Sequence, residues 1–127
     1  MKKEIATDKA PAAIGPYSQG IAARGTALYV SGQLPIDSRT GAFPGDSIEA
    51  QTRQSLENVK AILEAAGYTM DDVVKSTVLL RDIADFAAMN AVYGTYFKGS
   101  CPARAAFQVA ALPKGARVEI EVVAVKD

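Results

Sequence analysis

The chain has 127 residues, of which 49% are hydrophobic and 22% charged, and this predicts one globular domain spanning residues 1–127. Fourteen basic and fourteen acidic side chains cancel, which argues against nucleic acid as a partner. The absence of His and the single Cys, Cys101, exclude Ser-His-Asp triads, His/Cys zinc sites and intrachain disulfides. No targeting segment or membrane-spanning run is recognisable, so a cytoplasmic protein without membrane contact is expected.

Two short strands are predicted within residues 17–31, around a turn at residues 24–26. Before them, Gly15-Pro16 fixes a turn that leaves the Tyr17 hydroxyl free to orient a ligand, although a Tyr packed against a helix is the commoner case. Ser31-Gly32 ends the second strand, where a Gly lets a ligand approach backbone N–H groups. Taken alone, neither pattern separates a ligand site from ordinary structure.

An amphipathic helix is predicted from Asp46, its expected N-cap, to Gly67, with Glu49 completing a capping box. Apolar and small residues recur at helical spacing along one face: Ile48, Thr52, Leu56, Val59, Leu63 and Ala66. The opposite face carries charges four residues apart, as a solvated surface would: Arg53 with Glu57 and Lys60 with Glu64.

The second half of the chain predicts a strand, a helix and two more strands. Residues 73–80 are rich in β-branched side chains, which favours a strand. A helix is predicted over residues 85–97, and Asn90 lies at the edge of its apolar stripe, where a polar amide needs a partner. That stripe consists of Phe86, Met89, Tyr93, Tyr96 and Phe97. The last two strands are predicted over residues 104–111 and 118–125.

This order of elements predicts an α+β fold with two helices on one face of a mixed sheet. In the last strand, alternate residues face opposite sides of the sheet. One side is apolar, with Val118, Ile120, Val122 and Ala124, and the other is half apolar, with Glu119, Glu121, Val123 and Val125. Because two helices cannot cover both faces, self-association is the expected way to bury the second one.

Two charged positions stand out as candidates for chemistry. Arg104 is the one charge in a small, apolar stretch, and its guanidinium suits a carboxylate ligand held by two parallel hydrogen bonds. An Arg that reaches water or a structural acid is the competing interpretation. Glu119 and Glu121 alternate with aliphatic residues, so one of them is a candidate acid/base group. The competing interpretation is that this face of the strand is exposed to solvent.

Taken together, these segments resemble the Rid family of reactive-intermediate deaminases, and the resemblance covers nearly the whole chain. The strongest match is Pro102-Ala103-Arg104 followed by QVAALPKGARVEIE at residues 108–121. The others are APAAIGPYSQ at 10–19, YVSGQL at 29–34, QSLENVK at 54–60, and DIADF at 82–86 with Asn90 and Tyr93. Five segments in the right order make a chance match improbable.

The resemblance implies a chorismate-mutase-like fold with a mixed six-stranded sheet, a homotrimer, and ligand sites between subunits. It implies hydrolysis of 2-iminobutanoate and 2-iminopropanoate to 2-oxo acids and ammonia, with no cofactor or metal, downstream of pyridoxal-phosphate dehydratases. Arg104 is then the carboxylate clamp, Glu119 activates water, and Tyr17 is a third catalytic candidate. Ser31, Gly32 and Asn90 bind substrate. Ala106 stands where some relatives carry a Cys, which excludes a thiol role there, and Cys101 does not replace it.

A small-carboxylate-binding sensor or chaperone-like trimer without turnover is the alternative, and other proteins of this fold have been linked to RNA cleavage. The balanced charge and the missing His argue against a nuclease. A water-activating Glu119 beside a carboxylate clamp favours the deaminase. If the strands of Arg104 and Glu119 run antiparallel, about 20 Å separates the two residues within one chain. Each site is therefore expected to combine Arg104 of one subunit with Glu119 of its neighbour.

Overall fold

Six strands and two α-helices make up the computed structural model, which describes residues 1–127. The strands are β1 (Lys2–Ile5), β2 (Gly20–Ala23), β3 (Thr26–Gln33), β4 (Val73–Leu80), β5 (Ala103–Gln108) and β6 (Val118–Lys126). The helices are α1 (Ile48–Ala65) and α2 (Phe86–Tyr93), and short 3-10 turns connect several elements. The predicted α+β fold class is confirmed.

The strands form two sheets, and an isolated β-bridge joins the segment before β2 to β5. A four-stranded sheet has the order β3-β6-β4-β5, in which only β4 and β5 are parallel, and β1 pairs with β2 in a two-stranded sheet. Ser18 forms an isolated bridge with Ala103, and its N–H donates to the carbonyl of Pro102 at 3.1 Å. The sheet is mixed, as expected, but its six strands are interrupted between β2 and β5.

Residue patterning located five of the six strands and missed β1. Its four residues, KKEI, carry three charges and stay largely exposed, so they show no alternation of apolar and polar residues. Two elements also end earlier than predicted. Helix α2 stops at Tyr93 and continues as the 3-10 turn Gly94–Tyr96, and β5 stops at Gln108. Strands β5 and β6 are not neighbours, because β4 lies between them.

Helix α1 begins one residue later than predicted. Ser47 is its N-cap, and the Ser47 side chain accepts a hydrogen bond from the N–H of Ala50 at 3.0 Å. Asp46 instead offers its backbone carbonyl to Arg117, so the expected Asp46 cap is wrong. The charged pairs predicted on the outer face form no ion pair. Glu57 instead accepts a hydrogen bond from the Tyr96 hydroxyl at 2.6 Å.

The core lies between the helices and one face of the four-stranded sheet. Leu56, Val59 and Leu63 of α1 are fully buried, as predicted from their spacing, and they pack in one cluster with Val118 and Ile120 of β6. Burying each such aliphatic side chain contributes about 1.5–3 kcal/mol to folding. Neither helix is long and apolar enough to cross a membrane.

The other face of the sheet is left open within one chain, as the pattern of β6 predicted. Tyr29 of β3 is 76% exposed and Phe107 of β5 is 46% exposed. Between them, Thr77 and Glu121 are paired across β4 and β6 and turn to the same side. We call this surface the open face, and the side under α1 and α2 the helix face.

Candidate active site

Arg104 lies on the helix face, among three aromatic rings. Its Cζ is 4.8 Å from the ring centroid of Tyr93, 5.5 Å from that of Tyr17 and 5.6 Å from that of Phe86. These distances are in the range of cation–π attraction. Its Nη1 donates to Oδ1 of Asn90 at 2.6 Å, so the Asn90 amide has the hydrogen-bond partner that was expected at the edge of an apolar stripe. We call these five residues the arginine cluster.

The guanidinium has no anionic partner in its own chain. The three ion pairs of the chain involve other residues, although Arg104 is half-buried. Burial lowers the pKa of Arg104, because removal from water disfavours the charged form. A half-buried cation with unused N–H donors is a site that a ligand carboxylate would complete.

The loop before β2 brings Tyr17 to this cluster. Gln19 holds that loop: its Nε2 donates to the carbonyls of Thr7, Ala10 and Pro11, and its Oε1 accepts from the Thr7 N–H. At Gly15, an added Cβ would lie 3.2 Å from Nδ2 of Asn90. The loop therefore packs closely on the amide that orients Arg104.

Glu119 belongs to a second cluster, on the open face of β6. Its Oε2 would lie 2.3 Å from a Cβ added at Gly32, so the carboxylate occupies the space that a side chain at residue 32 would need. A register shift between Val30 and Gln33 leaves Ser31 and Gly32 outside the ladder with β6. Ser31 lines a cavity of the open face together with Glu121.

The predicted site residues thus fall into two groups. Arg104, Asn90 and Tyr17 are brought together on the helix face. Ser31, Gly32 and Glu119 are brought together elsewhere, and within one chain they do not meet the first group. In register, Arg104 pairs with Ser76 and Glu119 pairs with Leu79, three residues further along β4, which turns the two side chains to opposite faces.

Phe86 and Tyr93 were predicted as packing residues only, yet both contact Arg104. Their spacing carried the signal: Phe86, Asn90 and Tyr93 follow one another at four and three residues on a helix, so they share a face. No group of three or more His, Cys, Asp or Glu side chains is placed to hold a metal ion.

Residues 7–126 match the family model described as Endoribonuclease L-PSP. The chain is 52% identical to the 2-iminobutanoate/2-iminopropanoate deaminase of Mus musculus over 99% of this chain and 93% of that protein. A Yersinia pestis structure of the Rid protein family is 50% identical, with a TM-score of 0.77, and covers 99% of this chain and 100% of that one. TdcF of Escherichia coli with bound serine is 45% identical, with a TM-score of 0.77 and coverage of 98% and 99%. The chain therefore belongs to the Rid family of Endoribonuclease L-PSP proteins, as its sequence motifs predicted.

Proposed function

We propose that this protein is a hydrolytic deaminase that converts 2-iminobutanoate and 2-iminopropanoate to 2-oxo acids and ammonia. The observation that carries the proposal is the half-buried Arg104 without an anionic partner, aimed by Asn90 and three rings. A full-length relative at 52% identity bears the name of this activity, and another relative holds serine, a small carboxylic acid.

In the proposed reaction the substrate carboxylate binds to the free edge of the Arg104 guanidinium by two parallel hydrogen bonds. Glu119 accepts a proton from water as the water oxygen forms a bond to the imine carbon. Glu119 returns this proton to nitrogen, which gives a carbinolamine. The hydroxyl proton then passes to nitrogen through Glu119 as the carbon–nitrogen bond breaks, so the carbonyl forms and ammonia leaves. Because the imine is already electrophilic, proximity and one acid/base group are sufficient.

We place each active site between two subunits of a homotrimer. The open face of one chain exposes apolar side chains, Tyr29 and Phe107 among them, that a second copy would cover. A heterologous contact that closes after three copies would repeat one pairing three times. Each site would take Arg104, Asn90 and Tyr17 from one subunit and the Gly32–Glu119 cluster from its neighbour.

In this proposal the protein works in the cytoplasm as a single Rid-type domain over residues 1–127. It needs no cofactor and acts on imines that pyridoxal-phosphate dehydratases release. A carboxylate-binding sensor is the second candidate, since the arginine cluster by itself explains binding. The two candidates differ in Glu119, because a sensor has no need of a water-activating acid beside the ligand.

The test couples a threonine dehydratase to the purified protein and follows the appearance of 2-oxobutanoate. We expect faster release than with dehydratase alone, and no acceleration with Arg104→Ala protein at the same concentration. An unchanged rate, together with binding of 2-oxobutanoate in a calorimeter, would support the sensor instead.

A further inference from the structure

Two aromatic rings of helix α2 contact the Arg104 guanidinium. Tyr93 is fully buried and its ring is the closest of the three, at 4.8 Å from Cζ, while Phe86 lies two turns earlier at 5.6 Å. Asn90 stands between them on the same helix face and holds Nη1. Helix α2 therefore supplies two of the three ring contacts to the guanidinium and, in Asn90, the acceptor of its hydrogen bond.

We propose that Tyr93, assisted by Phe86, is a positioning residue that sets the orientation of Arg104 for carboxylate binding. The inference rests on the proposed function, in which Arg104 is the carboxylate clamp. A free Arg side chain samples many rotamers, and binding a carboxylate at two points requires one orientation of the guanidinium plane. Rings that contact the guanidinium reduce the rotamer entropy that is lost when the ligand binds.

The ring of Tyr93, rather than its hydroxyl, carries this role. The hydroxyl is buried without a hydrogen-bond partner, as is that of Ser76, the residue paired with Arg104 across β4 and β5. Burial raises the pKa of Tyr93 to about 12, so the phenol is neutral at the pH of the assay. Phe97 packs against the ring at 4.7 Å between centroids and holds it in place.

The experiment compares wild-type protein with Tyr93→Phe and Tyr93→Leu. Calorimetry measures binding of 2-oxobutanoate and of its neutral amide, 2-oxobutanamide, and the coupled assay measures KM and kcat. We expect Tyr93→Leu to bind 2-oxobutanoate about tenfold more weakly, with KM raised more than kcat is lowered and amide binding unchanged. Tyr93→Phe keeps the ring and should stay within about twofold of wild type.

Val59→Ala is the control for lost core packing, because Val59 is fully buried in α1 and has no ring over Arg104. If Tyr93→Leu does not fold, Phe86→Leu gives the same readout. Equal weakening of both ligands, or unchanged binding of 2-oxobutanoate, would overturn the inference. Wild-type protein that binds no 2-oxobutanoate and releases no ketoacid would instead contradict the proposed function, and the role of Tyr93 with it.

Discussion

Arg104 and Glu119 point to opposite faces of the same four-stranded sheet. Arg104 pairs with Ser76 across β4 and β5, and it contacts α2 on the helix face. Glu119 pairs with Leu79 across β4 and β6, so it faces the other way. Their Cα atoms are about 14 Å apart, because β5 and β6 are two strand spacings apart and the two positions are offset by three residues along β4. A four-carbon acid cannot contact both side chains of one chain, which is why the proposed site needs a second subunit.

Arg104→Lys should lose most of the activity while the protein still folds. Lys keeps the positive charge, but it cannot present two parallel donors to a carboxylate. We expect a loss of about 2–4 kcal/mol in transition-state binding, roughly 30-fold to 1,000-fold in kcat/KM, measured in the coupled assay. Near-normal kinetics in folded Arg104→Lys protein would assign Arg104 a structural role instead.

Gly32→Ala should leave the fold intact and displace the carboxylate of Glu119. The added Cβ would lie 2.3 Å from Oε2, and the flexible end of a Glu side chain moves more easily than backbone. A displacement of about 1 Å in an acid/base group can cost roughly 100-fold in rate. Steady-state kinetics measure the loss, and thermal unfolding confirms the fold.

Gly20→Ala is the matched control for this glycine. Its added Cβ would meet Cβ of Ile5 at 3.6 Å, an ordinary contact, in another strand. Activity should stay at the wild-type level. Equal activity losses in Gly20→Ala and Gly32→Ala would mean that the Gly32 effect does not come from Glu119.

Tyr93 should make the protein sensitive to alkali. Burial raises its pKa from 10.0 to about 12 in the folded state. Below pH 10 both states hold the proton and the stabilisation is complete. Between pH 10 and 12 the unfolded state releases the proton first, so the free energy of unfolding falls by about 3 kcal/mol. Urea unfolding at pH 9 and near pH 12 measures this loss.

Tyr93→Phe cannot titrate there, so it should lose less stability than wild type over the same interval. Burial also raises the pKa of Tyr96, the group that donates to Glu57, and this contribution is common to both proteins. Identical losses in wild type and Tyr93→Phe would contradict the account of the buried phenol.

Local patterns predicted the elements of the core well. Strand β4 was predicted at its observed bounds, because alternation and β-branched residues reflect which side chains are buried. The buried face of α1 followed from helical spacing. The N-cap was predicted at Asp46 instead of Ser47. Both residue types are common N-caps, and the backbone conformation at the start of the helix decides which of the two takes that position.

The sequence patterns could not predict which strands are neighbours in the sheet. Position along the chain made β5 and β6 look like antiparallel neighbours, with Arg104 and Glu119 about 20 Å apart at opposite ends. Strand β4 lies between them, so the two residues are about 14 Å apart on opposite faces of the sheet instead. Tyr93 and Phe86 were assigned to the core by hydrophobicity, and their contact with Arg104 depends on the approach of β5 to α2.

Complementation between two inactive variants tests the shared site most directly. Arg104→Ala and Glu119→Ala chains are coexpressed and the mixed trimers are purified. In a ring of three, every mixed trimer contains one site with Arg104 from one chain and Glu119 from the next, so one of its three sites is restored. Because Tyr17 lies beside Arg104 in the same chain, Arg104→Ala coexpressed with Tyr17→Ala should not regain activity. We predict about a third of wild-type activity for the purified mixed trimers of Arg104→Ala and Glu119→Ala, and mixed trimers as inactive as their parents would contradict a site shared between subunits.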